Sequence, residues 1–325
     1  MILIISEEKD VTTDQVVDWL LSFKTVFKRQ NYETANMLDS FVINNNTTSL
    51  KINSINQKDI TKVWYRRGQF TLFKMSLNSS SVNSINELAS LNNYISDEVA
   101  VIENSIESFL RSENSYCVGS RLADNTINKL DVLLTAKKNK LLIPDTLITS
   151  NKEEILHFYT TYKTIITKDL KAPVHFSIRN NNHTSIGTFV VTKKMITTLE
   201  DDFFPIFVQK KIDKKYEIRI FYYNGKLFPM AIFSQKDKKT AVDYRNYNTE
   251  NPNKCVPVIL PKEIQENLLK TLQDLNLNTC SIDFIVSKAG EYIFLEVNPM
   301  GQLDWVSKNC NYYIEKYIAE DLVKV

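Results

Sequence analysis

Late in this 325-residue chain, two carboxylates are spaced so that a hairpin would bring them face to face. They are Asp283, in Ser281-Ile282-Asp283-Phe284, and Glu296, in Phe294-Leu295-Glu296-Val297-Asn298-Pro299. Ala289-Gly290 stands between the two runs and suits a turn. A two-residue loop there pairs Lys288 with Glu291, and a four-residue loop from Lys288 gives the same register; either sets Asp283 opposite Glu296. Asn298, two residues on, points to the same face. Opposed side chains have Cβ atoms about 4.5–5.5 Å apart, where two ionised carboxylates repel unless a proton or cation intervenes. Two acids and an amide oxygen make an all-oxygen donor set, suited to Mg²⁺ bound together with substrate phosphates. The alternating Ile282, Phe284, Leu295 and Val297 are expected to face a core. The plainer reading is a pair of solvated acids on an open sheet.

A second constellation lies upstream. Asn224-Gly225 separates two β-rich runs and is a type I′ hairpin signal. Alternation puts Glu217, Arg219 and Phe221 on one face and Tyr216, Ile218, Ile220 and Tyr222 on the other. An arginine in mid-strand needs an anionic partner. A phosphate or acyl phosphate would serve, because the guanidinium offers a planar fork of donors; an ion pair with Glu217 or another acid is the alternative. Two lysines complete the set, Lys129 early in a helical segment and Lys168 at the end of the apolar run 164–167. Alone, each reads as a solvated charge.

The elements that must position these groups follow from hydrophobic spacing. Residues 1–6 read as a buried strand, followed by a helix capped by Thr12 or Thr13 with Val16, Val17, Leu20 and Leu21 as its apolar face. Extended runs are expected around 25–28, 41–44, 50–52 and 63–67. Leu88, Leu91, Ile95, Val99, Ile102, Ile106 and Phe109 recur at helical spacing over 85–110. The first third is thus a small α/β unit. Helices are expected over 124–138, 152–159, 261–275 and 310–322. Strands are expected over 163–168, 174–178, 188–192, 207–212, 216–223, 226–234, 280–286 and 292–297.

Composition bounds the rest. With 43% hydrophobic and 24% charged residues the chain is an ordinary globular one, and a net charge of +2 gives no basic excess for nucleic acid. Cys117, Cys255, Cys280 and Cys310 form no Cys-x-x-Cys pair and read as reduced cytoplasmic thiols. No run has the length of a membrane span, and the short apolar start is followed by Glu7, Glu8 and Asp10. A soluble, cytoplasmic protein is expected.

Together these residues resemble the ATP-grasp superfamily, and the resemblance runs from about residue 124 to 325. It implies an α+β (α/β) ATP-grasp fold behind a small N-terminal α/β domain, divided as 1–123, 124–200 and 201–325. Asp283, Glu296 and Asn298 match the family's magnesium-binding acid, acid and amide. Lys129 and Lys168 match its phosphate lysines, and Arg219 its phosphate-contacting arginine. The run Phe207-Val208-Gln209-Lys210-Lys211-Ile212 resembles the hinge strand at the adenine, which assigns Gln209, Lys210 and Ile212 to the nucleotide. Glu217 would lie near the ribose, and Phe284, beside the metal acid, joins the nucleotide set.

A narrower resemblance covers nearly the whole chain. Val63-Trp64-Tyr65-Arg66-Arg67-Gly68, Lys140-Leu141-Leu142-Ile143-Pro144-Asp145-Thr146, Ala241-Val242-Asp243-Tyr244-Arg245 and Glu296-Val297-Asn298-Pro299-Met300-Gly301-Gln302 resemble the ATP-grasp maturases of graspetides, including microviridins. The grasp-with-spasm maturases fit best. This implies ATP and Mg²⁺ as cofactors, a precursor peptide with leader and core segments as partner, and a homodimer. Asp or Glu side chains of the core would be phosphorylated and joined to Thr or Ser as esters, or to Lys as amides. Arg219, Arg245 and Arg67 would serve the chemistry, with Arg66 beside the last. Tyr222, Tyr223 and the hairpin ahead of Phe233 would offer contact area to the leader, and the polar segment 236–253 would either order on it or be simply a mobile loop. One departure stands out: the loop 176–188, over the phosphates in the family, is Asn-rich with Gly187 as its lone glycine. Two rivals remain, a ligase using a free amino acid and a peptide-binding scaffold without turnover.

Overall fold

The run Ile2-Leu3-Ile4-Ile5-Ser6 is buried at every residue, which demands cover on both faces of the strand. In the computed structural model it is β1 (Ile2–Ser6), an inner strand of the parallel sheet β2-β1-β6-β7, with β2 (Phe27–Asn31), β6 (Lys62–Tyr65) and β7 (Cys117–Val118). The structure describes residues 1–72, 85–114, 116–170, 175–178, 181–184, 187–235 and 252–324, with the backbone alone at 85, 175–178 and 181–184. Helix α1 (Val11–Ser22) connects β1 to β2. Its cap is Asp10, whose carboxylate accepts from the Thr13 backbone N–H, so Thr12 and Thr13 sit buried inside the first turn. The buried face is Thr12, Thr13, Val16 and Leu20, while Leu21 is exposed. Strands β3 (Leu38–Ile43), β4 (Thr48–Ile52) and β5 (Ile55–Asn56) form a small antiparallel sheet. Helix α2 (Ile85–Glu113) and α3 (Arg121–Thr126) follow.

The contacts divide the chain into two units. Met1–Asn125 form the first, together with Gln302–Ser307 and Tyr313–Val325; Thr126–Gly301 and Lys308–Tyr312 form the second. The expected helix over 124–138 is two helices. Asn128 ends the first course by capping α4 (Lys129–Lys138), its side-chain oxygen accepting from the backbone of Leu130 and Asp131 at 3.0 and 2.9 Å. Lys129 is therefore the first residue of a helix. The C-terminal helix is also double, α8 (Asp304–Cys310) and α9 (Ile314–Val323), because Asn311 and Tyr313 adopt positive φ between them.

In the second unit, β8 (Thr146–Thr149), β9 (Ile165–Thr167), β12 (Phe189–Val191) and β13 (Ile206–Lys210) pair antiparallel in the order β12-β9-β13-β8. Helices α5 (Lys152–Tyr162) and α6 (Lys193–Thr197) cover it around Ile155, Ile165, Val191, Ile196 and Val208. A separate hairpin joins β10 (His175–Ile178) and β11 (Asn181–Thr184). The larger antiparallel sheet runs β16-β15-β14-β17-β18, from β14 (Lys214–Tyr223), β15 (Lys226–Phe233), β16 (Lys254–Pro257), β17 (Thr279–Ser287) and β18 (Tyr292–Asn298), with α7 (Lys262–Asp274) between β16 and β17. Among the described residues, no helix is long and apolar enough to cross a membrane.

Candidate active site

Three neighbouring strands build the site. Across β14, β17 and β18, Arg219 pairs with Asp283 and Asp283 with Glu296, so the three stand in one row of the sheet. Ile218, Ile220, Ile282 and Phe284 alternate with this row and are fully buried. At the first hairpin, Asn224 (φ 43°) and Gly225 (φ 90°) both take the left-handed conformations that a type I′ turn requires.

The second hairpin reaches the expected register by another route. Ser287 N–H donates to the Glu291 carbonyl, so the loop is the three residues 288–290, with Gly290 at φ 88°. That loop shifts the pairing near the turn by one residue, to Ile285 with Ile293 and Phe284 with Phe294. A bulge between Asp283 and Phe284 then inserts Leu295 as an extra residue and restores Asp283 to Glu296. Leu295 consequently lines the cleft with Ile285, where strict alternation had assigned it to the core.

The two acids are neutralised by cations from other elements. Arg219 Nη1 lies 2.7 Å from Asp283 Oδ2. Lys168 Nζ, just past β9, lies 3.3 Å from Glu296 Oε2, and Lys129 Nζ lies 3.9 Å from the same oxygen. Lys129 also donates to the Asp169 carbonyl at 2.5 Å. Both lysines, solvated charges when read alone, thus meet over one carboxylate. Two negative and three positive side-chain charges leave the cluster one positive.

The cluster borders a cleft of about 680 Å³, lined by Pro144, Ile166, Lys168, Thr188, Gln209, Lys210, Ile212, Glu217, Asp283, Phe284, Ile285, Leu295 and Glu296. Gln209 is buried, its amide donating to Thr146 Oγ1 at 2.9 Å. Lys210 is half exposed, 3.8 Å from Asp145 and over the Tyr162 ring. Ile212 adds an apolar wall. Phe284 borders the cleft but is fully buried, its ring edge-to-face with Phe294.

Glu217 is held differently. Its carboxylate is 2.7 Å from Lys214 Nζ and accepts from Ser234 Oγ at 2.5 Å. Burial pushes the carboxyl up, and Lys214 and Ser234 offset only part of that. Three residues apart on a regular strand, Lys214 and Glu217 would face opposite ways. An irregularity between Lys214 and Tyr216 brings them together, which no residue type in the run announces.

Asn298 faces Ser281 across the sheet and is exposed, its amide oxygen accepting from the Met300 backbone N–H at 2.9 Å. Arg67 belongs to the first unit, at φ 61° beyond β6 and 3.5 Å from Glu7; its neighbour Arg66 is buried 3.4 Å from Asp10. Arg245 lies outside the described residues, as does most of the segment 236–253. Tyr222 and Tyr223 are buried and offer no contact area to a leader; Phe233 is exposed.

No protein-family model matches the chain, and no curated protein is significantly similar to it. Solved structures are. A Chryseobacterium gregarium RiPP-associated ATP-grasp ligase, in complex with ADP and a leader and core peptide, matches with a TM-score of 0.79 at 25% identity, over 99% of this chain and 96% of that one. The macrocyclase MdnC from Microcystis aeruginosa MRC, bound with precursor peptide MdnA, matches at 0.75 and 25% identity over 99% of both chains. D-alanyl-alanine synthetase A from Vibrio cholerae shares the fold at 0.51 and 13% identity, over 92% of this chain and 88% of that one. An opposed pair of acids under three cations, on this fold, defines an ATP-grasp ligase. Within that class, the two solved structures that match at 25% identity are a RiPP-associated ligase and a peptide-bound macrocyclase.

Proposed function

We propose that the protein is an ATP-dependent macrocyclase of a ribosomal precursor peptide. It phosphorylates Asp or Glu side chains of the core and links them to Thr or Ser hydroxyls, or to a Lys amine. The observation that carries this reading is the row Arg219–Asp283–Glu296 with Lys168 and Lys129 over it, at the wall of a cleft.

The donor set fits a magnesium ion: two opposed carboxylates, with the exposed Asn298 amide one row away. Asp283, Glu296 and Asn298 would hold it, and when bound it supplies neutralisation of phosphate charge. Lys168, Lys129 and Arg219 carry three fixed positive charges toward the same space, enough to balance developing charge on a transferring phosphoryl group. Gln209, Lys210, Ile212, Glu217 and Phe284 would border the base and ribose. In the first step a peptide carboxylate oxygen bonds to the γ-phosphorus and the bond to ADP breaks. In the second, the hydroxyl or amine bonds to the acyl carbon, phosphate leaves and the nucleophile gives up its proton. Water must be kept out, or the acyl phosphate hydrolyses. Arg245 and Arg67 are proposed to hold the acceptor carboxylate or acyl phosphate. The leader and core peptide in the complex of the Chryseobacterium ligase supports a peptide substrate here. The four cysteines, none of them in a disulfide, support a reducing cytoplasmic setting, and we read the working form as a homodimer.

The test is the intact mass of a precursor peptide after incubation with Mg·ATP. Loss of whole waters, dependent on ATP and absent in Asp283→Asn, is expected. ADP release that responds to free amino acids and not to peptide would favour the amino-acid ligase; an unchanged mass and no ADP would favour the scaffold.

A further inference from the structure

Gln209 is 1% exposed, yet it lines the cleft. It stands in a row of the smaller sheet, Thr146–Gln209–Ile166, across β8, β13 and β9. The preceding residue, Val208, turns the other way, into the core with Ile155 and Ile165. A buried amide is expected to have both of its ends engaged. Here the nitrogen donates to Thr146 Oγ1 at 2.9 Å, while among the described residues nothing donates to Gln209 Oε1. An acceptor left over in a buried side chain at a cleft wall is costly unless a ligand's donor completes it.

Thr146 decides which end of the amide is left over. Its hydroxyl lies 2.8 Å from the Pro144 carbonyl. That carbonyl can only accept, so the hydroxyl's one proton is spent there. Toward Gln209 the hydroxyl can then only accept, and the amide must turn its nitrogen to Thr146 and its oxygen away. A reversed amide would set two acceptors 2.9 Å apart, or break the bond to Pro144. The neighbouring backbone holds the arrangement, with the Lys210 N–H donating to the Asp145 carbonyl at 2.9 Å. Ile212, also at the cleft wall, brings a second unspent group, since its backbone N–H has no acceptor among the described residues. One acceptor and one donor match the amino group and the N1 lone pair of a 6-aminopurine. A 6-oxopurine carries the reverse pattern, an oxygen at C6 and a proton on N1, and both contacts would repel it. We propose that Thr146 is a positioning residue that acts through Gln209 to make the cleft select 6-aminopurine over 6-oxopurine nucleotides.

The inference rests on the ATP reading above and deepens it. Calorimetric titration of the full chain with the magnesium salts of ADP and inosine diphosphate tests it. The parent chain should bind ADP about 100-fold more tightly. Thr146→Val frees the amide to turn its nitrogen toward the C6 oxygen, so the preference should fall to about 10-fold or less. Thr146→Ser keeps the hydroxyl and should keep the preference. Should Thr146→Val fail to fold, Gln209→Met serves: it removes both ends of the amide and should lower the preference by the same factor. Equal affinity of the parent for the two nucleotides overturns the inference. So does an undiminished preference in Thr146→Val or Gln209→Met, or a loss in Thr146→Ser as large as in Thr146→Val. In each of these cases ADP still binds and the ATP reading stands. A chain that binds neither nucleotide overturns both.

Discussion

Lys214–Glu217 and Arg219–Asp283 lie on neighbouring rows of one sheet face and differ in what surrounds them. The first pair is closed. Both partners come from β14, Ser234, just past the end of β15, supplies a further hydrogen bond, and the side chains are 5% and 9% exposed. The second belongs to an open set. Arg219, Asp283, Glu296, Lys168 and Lys129 come from segments up to 167 positions apart, and Glu296 and Lys129 keep 19% and 25% of their side-chain surface. A closed pair can satisfy its own charges locally. An open set of five, with a positive excess and a cleft in front of it, is held in readiness for an anion. The difference separates charges on this face that are satisfied within the fold from charges left open toward the cleft, and each half of it can be broken separately.

The largest effect should come from the open set. Asp283→Asn and Glu296→Gln should each lower peptide-stimulated ADP release about 1000-fold, because the phosphates lose a metal-bearing carboxylate. Glu296→Gln, whose carboxylate keeps 19% of its surface, should cost less stability than Asp283→Asn, which takes the carboxylate from an arginine only 12% exposed. Near-normal turnover in either variant would remove the metal assignment.

Breaking the closed pair should do the reverse. Lys214→Met leaves Glu217 buried without its cation and should cost about 3 kcal/mol of stability at pH 7, measured by urea unfolding. Turnover at saturating ATP should change little by comparison. The sign with pH follows from the raised Glu217 carboxyl. A folded-state value above the unfolded one contributes stability that is present below the unfolded value of 4.5 and lost as pH rises through the folded one. The Lys214→Met deficit should therefore shrink as pH falls from 7 toward 5. Adding Glu217→Leu should restore most of it at any pH, because a buried pair replaced by apolar groups is neutral or stabilising. A deficit independent of pH would mean the lysine acts through packing alone.

Lys168→Met should sit between these extremes. It removes one of three cations and should lower ADP release about 100-fold, with an unchanged melting temperature. An equal loss of stability would move Lys168 into the closed class.

How much of this was legible in the sequence varies by residue, and the reasons are physical. Alternation put Glu217 and Arg219 on one face of β14, and Asp283, Glu296 and Asn298 on one face of the second hairpin, because strand period depends on backbone geometry alone; that the two sets share a row came only from the pairing of β14 with β17. Asn224-Gly225 declared its turn for the same reason. The pairing of Asp283 with Glu296 was read through a loop of two or four residues, whereas the molecule uses three and compensates with a bulge at Leu295. Bulges leave no residue signature, so Leu295 was assigned to the core and the Lys214–Glu217 pair went unseen. Helix breaks were missed where a capping asparagine, Asn128, looked like an interior residue. The lysines were the least legible: 128 positions separate Lys168 from Glu296, and only the family resemblance linked them.

Asn298 tests the boundary between the two classes. Sequence spacing puts it with the metal acids, and the register sets it on their face, opposite Ser281. Its amide oxygen, however, already accepts from the Met300 N–H, the kind of local satisfaction that marks the closed pair. A carbonyl-type oxygen has two lone pairs, so one remains for a cation. An oxygen shared in this way donates less to a metal than a free carboxylate does. Asn298→Ala should therefore lower ADP release only about 10-fold, the smallest loss in the set, and raise the magnesium concentration for half-maximal activity. Asn298→Asp should recover magnesium affinity, because the added charge strengthens the remaining lone pair. A loss in Asn298→Ala equal to that of Asp283→Asn would put the amide in the open set as a full ligand. Unchanged magnesium dependence would leave it as the residue that turns the chain at the end of β18.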